Sequence, residues 1–196
     1  MKNLILALVA ISSIALGIWL GTQSGNKSSD SFAGYPDLGG EFVLQSDKGE
    51  VKLSDFKGKV VTLYFGYTHC PDVCITALSK MAAALKTLPK EQREQIQPIF
   101  ITFDPERDDA KTVAEYARYF DKSFIGLTGT PAQIAEIAKR YFIIYEKVPI
   151  EGSAVDYAMD HSSQIFITNK KGIIQTIVHH ADTTEALAKY LEEATK

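Results

Sequence analysis

Cys70 and Cys74 are the two cysteines of the chain, and the tripeptide Pro-Asp-Val separates them. A disulfide across so short a segment would remove little conformational entropy from the unfolded chain, so a purely structural role explains the pair poorly. In a regular helix their Cβ atoms would lie about 5–6 Å apart, which is farther than a relaxed disulfide requires. The spacing therefore favours two thiolates that share a soft metal ion, or a disulfide that is easily reduced.

A third metal ligand would have to come from one of the four histidines. Two thiolates hold Cu(I), whereas an added nitrogen ligand lets a site accept Cu(II) as well. His69 adjoins the first cysteine, but strand alternation points it to the opposite face, and His179 and His180 end a predicted strand where exposure is ordinary. His161 lies in a polar loop before another predicted strand, where Asp160 could orient its imidazole. Spacing alone leaves open whether His161 is a ligand or an ordinary surface histidine.

The elements that position the cysteines follow from two short apolar runs and one helical pattern. Residues 60–65 are almost continuously apolar, which is typical of a strand that is covered on both faces. Apolar residues recur at helical spacing from Pro71 to Leu88, and residues 96–103 form a second buried strand. This order predicts a βαβ unit with parallel strands and places the cysteines at a strand-to-helix turn. The helix N-terminus at that turn would stabilise their thiolates.

The remaining segments continue the alternation of strands and helices. Two hairpins are predicted, one from residues 41–53 and one from residues 163–179, each around a polar turn. Helical patterns and short apolar segments alternate at residues 109–120, 124–127, 131–141 and 142–148, and a capping box at Asp182 opens the last helix. We therefore expect a single α/β domain.

The first 33 residues differ in composition from the rest of the chain. Residues 4–20 contain no charge and would form a helix of about 26 Å, which just spans the thinner bilayer cores. The apolar run continues past a weak cleavage site, which favours an uncleaved anchor over a cleaved signal peptide. We predict an anchor at 1–20, a flexible linker at 21–33 and a globular domain at 34–196. Lys2 favours a domain on the periplasmic or other extracytoplasmic side.

The composition excludes one class of partner and removes one explanation of the cysteines. The chain has 196 residues, 45% of them hydrophobic and 23% charged, which is ordinary for a globular protein. A net charge of −3 and a pI near 5.8 leave no basic surface of the kind that nucleic acids require. The predicted domain could bury about 68–70% of its unfolded surface, so its core needs neither a metal nor a disulfide.

Three segments resemble the signature motifs of the Sco/SenC family. They are Tyr-Phe-Gly-Tyr-Thr-His-Cys-Pro-Asp-Val-Cys at residues 64–74, Thr-Phe-Asp-Pro-Glu-Arg-Asp at 102–108 and Tyr-Ala-Met-Asp-His-Ser-Ser at 157–163. Members of this family are thioredoxin-fold proteins that deliver copper to the dinuclear copper site of cytochrome c oxidase subunit II. The resemblance runs from Phe42 to the C-terminus, with the motifs in the family's order.

The resemblance implies a site, a fold and a set of partners. Cys70, Cys74 and His161 correspond to the family's copper ligands, for Cu(I) and Cu(II). The implied fold is thioredoxin-like α/β, with a central mixed sheet flanked by helices, an N-terminal hairpin and one N-terminal membrane anchor helix. The implied partners are the copper domain of cytochrome c oxidase subunit II, a thioredoxin-like reductant or another copper chaperone, and the membrane through the N-terminal helix.

A second hypothesis is a membrane-tethered thiol–disulfide oxidoreductase that reduces the acceptor's cysteines, with Cys70 and Cys74 as its catalytic pair. Thioredoxin-type enzymes normally have two residues between the cysteines and a cis-proline in the facing loop. Here three residues separate the cysteines, and residues 158–167 contain no proline. Both departures favour metal binding, although the two functions are not exclusive. A peroxiredoxin-like peroxidase fits less well, because Thr68 precedes the cysteine but the nearest upstream proline is Pro36.

Four aspartates near these motifs are not assigned to the ligand set. Asp104 ends a strand at the same sheet edge as the first cysteine, so it could contact a ligand or dock a partner. Asp108 and Asp109 are predicted to be ordinary helix N-caps. Asp72 either tunes the charge at a metal or belongs to ordinary first-turn helix chemistry.

Overall fold

The computed structural model describes residues 34–150 and 156–196. The strands in these ranges are β1 (Val43–Ser46), β2 (Gly49–Lys52), β3 (Val60–Gly66), β4 (Ile96–Thr102), β5 (Ile125–Leu127), β6 (Tyr145–Pro149), β7 (Tyr157–His161), β8 (Gln164–Thr168) and β9 (Ile174–His179). The α-helices are α1 (Val73–Thr87), α2 (Lys90–Arg93), α3 (Ala110–Phe120), α4 (Pro131–Arg140) and α5 (Thr184–Thr195).

A five-stranded sheet in the order β5-β4-β3-β8-β9 forms the centre of the described domain. Strand β3 runs parallel to β4, and β4 runs parallel to β5, whereas β8 and β9 are antiparallel to their neighbours. Every residue of β3 is buried, as its continuous apolar sequence predicts. The expected α/β fold with a central mixed sheet is therefore confirmed.

Alternating side chains of β3 supply both halves of the core. On one face Tyr64 stacks on Phe100, with the ring centroids 6.4 Å apart. On the other face Phe65 contacts Tyr141, which follows α4, and Phe166 of β8. Successive residues of a strand point to opposite faces, so the strand that leads to the cysteines is held by packing on both sides.

The two hairpins predicted from the sequence are both present. Strand β1 pairs antiparallel with β2, and β8 pairs antiparallel with β9. The last helix begins one residue later than the predicted cap, because Thr183 is the N-cap and its side chain accepts from the amide of Ala186. Asp182 instead accepts a hydrogen bond from the amide of His179, which closes the turn after β9.

A third hairpin, formed by β6 and β7, corrects the prediction that His161 lies in a loop. His161 is the last residue of β7 and pairs with Tyr145 of β6. The two strands form a separate two-stranded sheet within the described residues. Tyr145 and His161 face inward, while the neighbouring pair Glu146 and Asp160 is exposed. The short alternating pattern of residues 157–161 was too polar to indicate a strand by periodicity.

The predicted anchor at 1–20 and linker at 21–33 lie outside the described residues. Within the ranges that are described, no helix has both the length and the apolar character needed to cross a bilayer.

Candidate metal centre

The two cysteines lie where β3 passes into α1. Cys74 is completely buried, Cys70 is 6% exposed, and both are free thiols. The Cys74 amide donates to the Cys70 sulfur over 3.5 Å, in the first turn of the helix. A backbone N–H of the helix N-terminus, which has no partner within the helix, thus points to the Cys70 sulfur, and this arrangement stabilises a thiolate.

His161 completes a group of three side chains. Its Nε2 atom lies 3.8 Å from the Cys74 sulfur. The two sulfur atoms and one imidazole nitrogen all lie within 4.8 Å of one another. The structure therefore brings together Cys70, Cys74 and His161, the three residues that the resemblance singled out.

Ser162 determines which nitrogen of His161 faces the thiols. The Nδ1 atom lies 2.9 Å from the carbonyl oxygen of Ser162. A carbonyl only accepts, so Nδ1 carries the proton and the lone pair of Nε2 points to the sulfur atoms. The expectation that Asp160 orients the ring is wrong, because Asp160 is exposed and the Ser162 carbonyl occupies that role.

Aromatic side chains form the wall behind the imidazole. The His161 ring packs on Phe103, with centroids 4.8 Å apart, and meets the edge of Tyr67 at 6.0 Å. A cavity of about 340 Å³ opens in front of the group, between the Cys70 turn and β7. Phe103 and Tyr67 both belong to segments that resemble the family motifs, but their types alone do not indicate contact with His161. The cavity gives Cys70 and His161 access from outside, whereas Cys74 lies behind them.

The two thiols differ strongly in acidity. A hydrogen bond from the Cys74 thiol lowers the pKa of Cys70 to about 4, against the opposing effect of burial. The same hydrogen bond, together with burial and the neighbouring negative charge, raises the pKa of Cys74. The pair therefore loses its first proton easily and keeps the second. At neutral pH Cys70 is a thiolate that accepts a hydrogen bond from Cys74.

Gly66 makes room for the buried thiol, a role that the sequence analysis missed. A Cβ atom at this position would lie 2.7 Å from the Cys74 sulfur and 2.8 Å from the Phe100 ring. Both distances are shorter than real carbon contacts, so a larger residue would displace the sulfur or the ring. A glycine among aromatic residues of a predicted strand was the sequence feature that could have indicated a close contact at this position.

Comparison with known proteins decides the family. Residues 31–196 of the chain match the model of the SCO1/SenC protein family. The chain belongs to the SCO1/SenC family. This confirms the resemblance inferred from the three segments at 64–74, 102–108 and 157–163.

Two curated Sco relatives illustrate the extent of the similarity. The chain is 41% identical over 136 residues to "Protein SCO1 homolog 1, mitochondrial" of Arabidopsis thaliana, covering 69% of this chain and 40% of that protein. It is 36% identical over 152 residues to "Protein SCO2 homolog, mitochondrial" of Mus musculus, covering 76% and 59%. The matched region therefore spans about half the length of these relatives.

Two solved Sco structures are similar over most of the chain. Arabidopsis thaliana ScoI with copper bound has a TM-score of 0.73 and 34% identity, covering 80% of this chain and 97% of that one. Bradyrhizobium japonicum ScoI with copper bound has a TM-score of 0.72 and 35% identity, covering 80% and 99%. The thioredoxin-like arrangement of the Sco fold is thus shared.

The other histidines of this Sco-family chain stay away from the thiols. His69 has a half-exposed side chain whose Nδ1 lies 3.1 Å from the Thr68 hydroxyl. His179 and His180 are exposed at the end of β9. All three agree with the expectation of ordinary surface positions.

The neighbouring aspartates separate into different roles. Asp109 caps α3 by accepting from the amide of Thr112, as predicted. The prediction that Asp108 is a cap is wrong, because its carboxylate is fully buried and accepts from the Thr68 amide at 2.9 Å and the Thr102 hydroxyl at 2.6 Å. Asp108 thereby ties the turn that carries Cys70 to the end of β4.

Asp104 and Asp72 lie outside the group of three. Asp104 is buried and binds Arg107 and Tyr157, so it contacts no candidate ligand directly. Asp72 is exposed at the mouth of the cavity. It is the N-cap residue of α1, but its side chain makes no capping hydrogen bond.

Proposed function

We propose that this chain is a copper metallochaperone that binds copper through Cys70, Cys74 and His161 and delivers it to the dinuclear copper site of cytochrome c oxidase subunit II. The observation that carries the proposal is the convergence of two thiol sulfurs and one imidazole nitrogen within 4.8 Å. Two thiolates with one imidazole are soft and borderline donors, which suit copper. The copper-bound ScoI structures of two relatives support the same assignment.

The acidities of the two thiols suit the capture of Cu(I). The Cys70 thiolate is available at neutral pH, since its pKa is lowered to about 4. Cys74 gives up its proton when the ion replaces that proton between the sulfurs. The Nε2 atom of His161 supplies the third ligand, and it lets the site hold Cu(II) as well. The open cavity beside Cys70 lets thiolates of an acceptor replace these ligands one at a time.

The proposed location is the extracytoplasmic side of a membrane. The basis is the uncharged run at residues 4–20 and the polar segment at 21–33 in the printed sequence. A linker of that length would let the domain reach a membrane-bound oxidase subunit within about 20 Å.

A thiol–disulfide oxidoreductase is the second candidate, and the unequal acidity of the thiols favours it. The Cys70 thiolate would attack an acceptor disulfide, forming a mixed disulfide and releasing one acceptor thiolate. Cys74 would then lose its proton and displace the second acceptor sulfur, leaving a Cys70–Cys74 disulfide. A thioredoxin-like reductant would return the pair to the dithiol. The acceptor gains two electrons and this protein loses two.

One experiment tests copper binding and separates it from simple thiol chemistry. The full-length protein is titrated anaerobically with Cu(I) before and after reduction of the cysteine pair, and insulin reduction is measured on the same sample. We expect one equivalent of Cu(I) to bind to the reduced form alone, because a disulfide has no thiolate to offer. Equal binding by both forms would contradict the proposal, and rapid insulin reduction without copper binding would favour the oxidoreductase.

A further inference from the structure

The segment at residues 102–108 carries one of the family motifs but supplies none of the three candidate ligands. Its side chains instead contact the β6–β7 hairpin, which carries His161 at the end of β7. Among the described residues, β6 and β7 pair with each other and with no strand of the central sheet. Apart from its chain connections, the hairpin is therefore held against the domain by side-chain contacts.

Arg107 makes the most extensive of these contacts. Its Nε donates to Asp104 at 2.6 Å, and its Nη1 donates to the carbonyl of Tyr157 at 2.9 Å. Its guanidinium carbon also lies 3.7 Å from the centre of the Tyr157 ring. The Asp104 side chain is fully buried and the Arg107 side chain is 19% exposed, so this ion pair is largely shielded from solvent. A planar guanidinium can form both hydrogen bonds while it stacks, which a lysine cannot do.

Tyr157 closes the same network from the hairpin side. Its hydroxyl donates to the second oxygen of Asp104 at 2.7 Å. Tyr157 begins β7 and His161 ends it, so Arg107 holds the end of the strand that is distant from the imidazole. The His161 end continues through two residues into β8 of the central sheet. Without the Arg107 contacts, the Tyr157 end of β7 would be held less firmly, and the strand could tilt so that the His161 ring turns away from the Cys74 sulfur.

The remaining contacts to the hairpin are longer, exposed or without a fixed direction. The Met159 amide of β7 donates to the Tyr67 hydroxyl over 3.4 Å, which is a long hydrogen bond. The ion pair of Lys147 with Glu106 is exposed on both sides, so solvent screens it. Tyr145 stacks on Phe103 with centroids 5.2 Å apart, which attracts the hairpin but leaves it able to slide. The buried, directional contacts of Arg107 are those that can set the position of β7.

We propose that Arg107 is a positioning residue for His161, because it clamps β7 through the Tyr157 carbonyl and ring and so holds Nε2 over the Cys74 sulfur. The proposal rests on the copper binding proposed above. Loss of the clamp leaves both thiols in place but lets the imidazole move away. Cu(II), which needs the nitrogen, is then lost far more than Cu(I), which the two thiolates retain.

The test compares Arg107→Met with Arg118→Met in the full-length protein. Arg118 also forms an aspartate pair, with Asp47 at 2.9 Å, but lies outside the hairpin contacts. In the metal-free reduced protein we expect amide hydrogen exchange of residues 157–161 to accelerate at least about tenfold in Arg107→Met and to stay unchanged in the control. With copper, the Cu(II) dissociation constant should rise about 10- to 100-fold, and that of Cu(I) by less than about threefold.

Two milder variants keep the test decisive if Arg107→Met does not fold. Tyr157→Phe removes the hydrogen bond from the hydroxyl to Asp104 and retains the ring. Arg107→Lys retains the positive charge but not the planar guanidinium that makes two hydrogen bonds and stacks. Both should shift the thiolate–Cu(II) charge-transfer band and the exchange rates in the same direction, by a smaller amount. Unchanged exchange at 157–161, or equal losses of Cu(I) and Cu(II), would overturn the proposal. If the wild-type protein binds no copper, the copper assignment fails, and the metal-free exchange comparison alone decides whether Arg107 is a clamp.

Discussion

At the scale of single residues, the candidate site depends on where protons reside. The carbonyl of Ser162 accepts a hydrogen bond from Nδ1 of His161, so Nε2 is the nitrogen that remains available as a metal ligand. The hydrogen bond from Cys74 to Cys70 concentrates the remaining thiol proton on the deeper sulfur. The outer sulfur, that of Cys70, is therefore charged, and the inner sulfur, that of Cys74, keeps its proton.

His161→Ala distinguishes a copper site from a thiol enzyme. We expect the Cu(II) affinity of the variant to fall by more than about 100-fold, because loss of a ligand should cost more than loss of a residue that only orients a ligand. Cu(I) should stay bound to the two thiolates. Disulfide exchange needs the two sulfurs alone, so insulin reduction should change little. The measurements are the thiolate–Cu(II) charge-transfer band and oxidase activity in cells that carry the variant, with the exposed His179→Ala as control.

If the band and the oxidase activity both persist in His161→Ala, His161 is not a ligand. The oxidoreductase would then become the better explanation of the cysteine pair.

The pH dependence of alkylation tests the acidity of Cys70. Its pKa is lowered from an ordinary value of 9.0 to about 4, so the reactive thiolate persists as the pH falls and disappears below about pH 4. In the reduced metal-free protein, iodoacetamide should modify Cys70 at a nearly constant rate from pH 8 down to pH 5. The rate should fall about tenfold per pH unit below pH 4. The urea-unfolded protein should instead lose reactivity below about pH 8.5. A tenfold loss between pH 8 and pH 7 in the folded protein would contradict the assignment.

At the scale of elements, the site is assembled where three segments meet at one end of β3 and β4. The turn before α1 supplies the thiols, β7 supplies the imidazole, and the segment after β4 holds both of them in place. Asp108 anchors the turn, while Asp104 and Arg107 anchor β7. One short segment thus serves both halves of the candidate site.

The adjacent Asp108 and Asp109 provide a matched pair for testing that anchor. Asp108→Ala leaves the half-buried Thr68 amide and the buried Thr102 hydroxyl without this acceptor, which costs about 1–3 kcal/mol for a buried group and less for a half-buried one. Asp109→Ala removes an exposed N-cap and costs about 1 kcal/mol. Urea unfolding of the reduced metal-free protein should therefore show the larger loss in the free energy of unfolding for Asp108→Ala. The reverse order would show that the buried contacts do not stabilise the turn.

At the scale of the whole molecule, the candidate site belongs entirely to the unit that spans residues 34–196. The core of this unit consists of side chains from the sheet and the helices around it, among them Phe65, Phe100 and Leu187. A unit of this size buries enough surface to fold without help from a membrane segment. The first 33 residues are then expected to tether the domain rather than to shape it.

Deletion of residues 1–30 tests this separation of tether and domain. We expect the truncated protein to keep its near-UV circular dichroism and to bind one equivalent of Cu(I), because the three candidate ligands lie far along the chain from the deletion. In cells, the full-length protein should sediment with membranes and the truncated one should not. Loss of the circular dichroism or of Cu(I) binding would show that the first residues contribute to the fold. Sedimentation of both forms with membranes would contradict the tether.

The sequence by itself determined the strands β3, β4, β8 and β9, the long helices and the family, but it did not indicate the β6–β7 pairing. Continuous apolar residues in β3 and helical spacing in α1 are local patterns, and burial of those residues requires the same elements in almost any packing. The spacing of Cys70 and Cys74 likewise indicated soft-metal or redox chemistry, because it concerns two residues only four positions apart. The resemblance of three motifs then pointed to His161, which spacing alone had left open.

Only the tertiary structure decided the roles of the polar residues around the site. Asp108 and Asp109 have the same type and adjacent positions, yet one is a buried anchor and the other a cap. The difference arises because Asp108 meets Thr68, 40 positions earlier in the chain. Arg107 similarly binds the Tyr157 carbonyl across 50 positions. Local periodicity reports which face of an element is buried, but contacts between distant residues exist only after the sheet has aligned the ends of its strands.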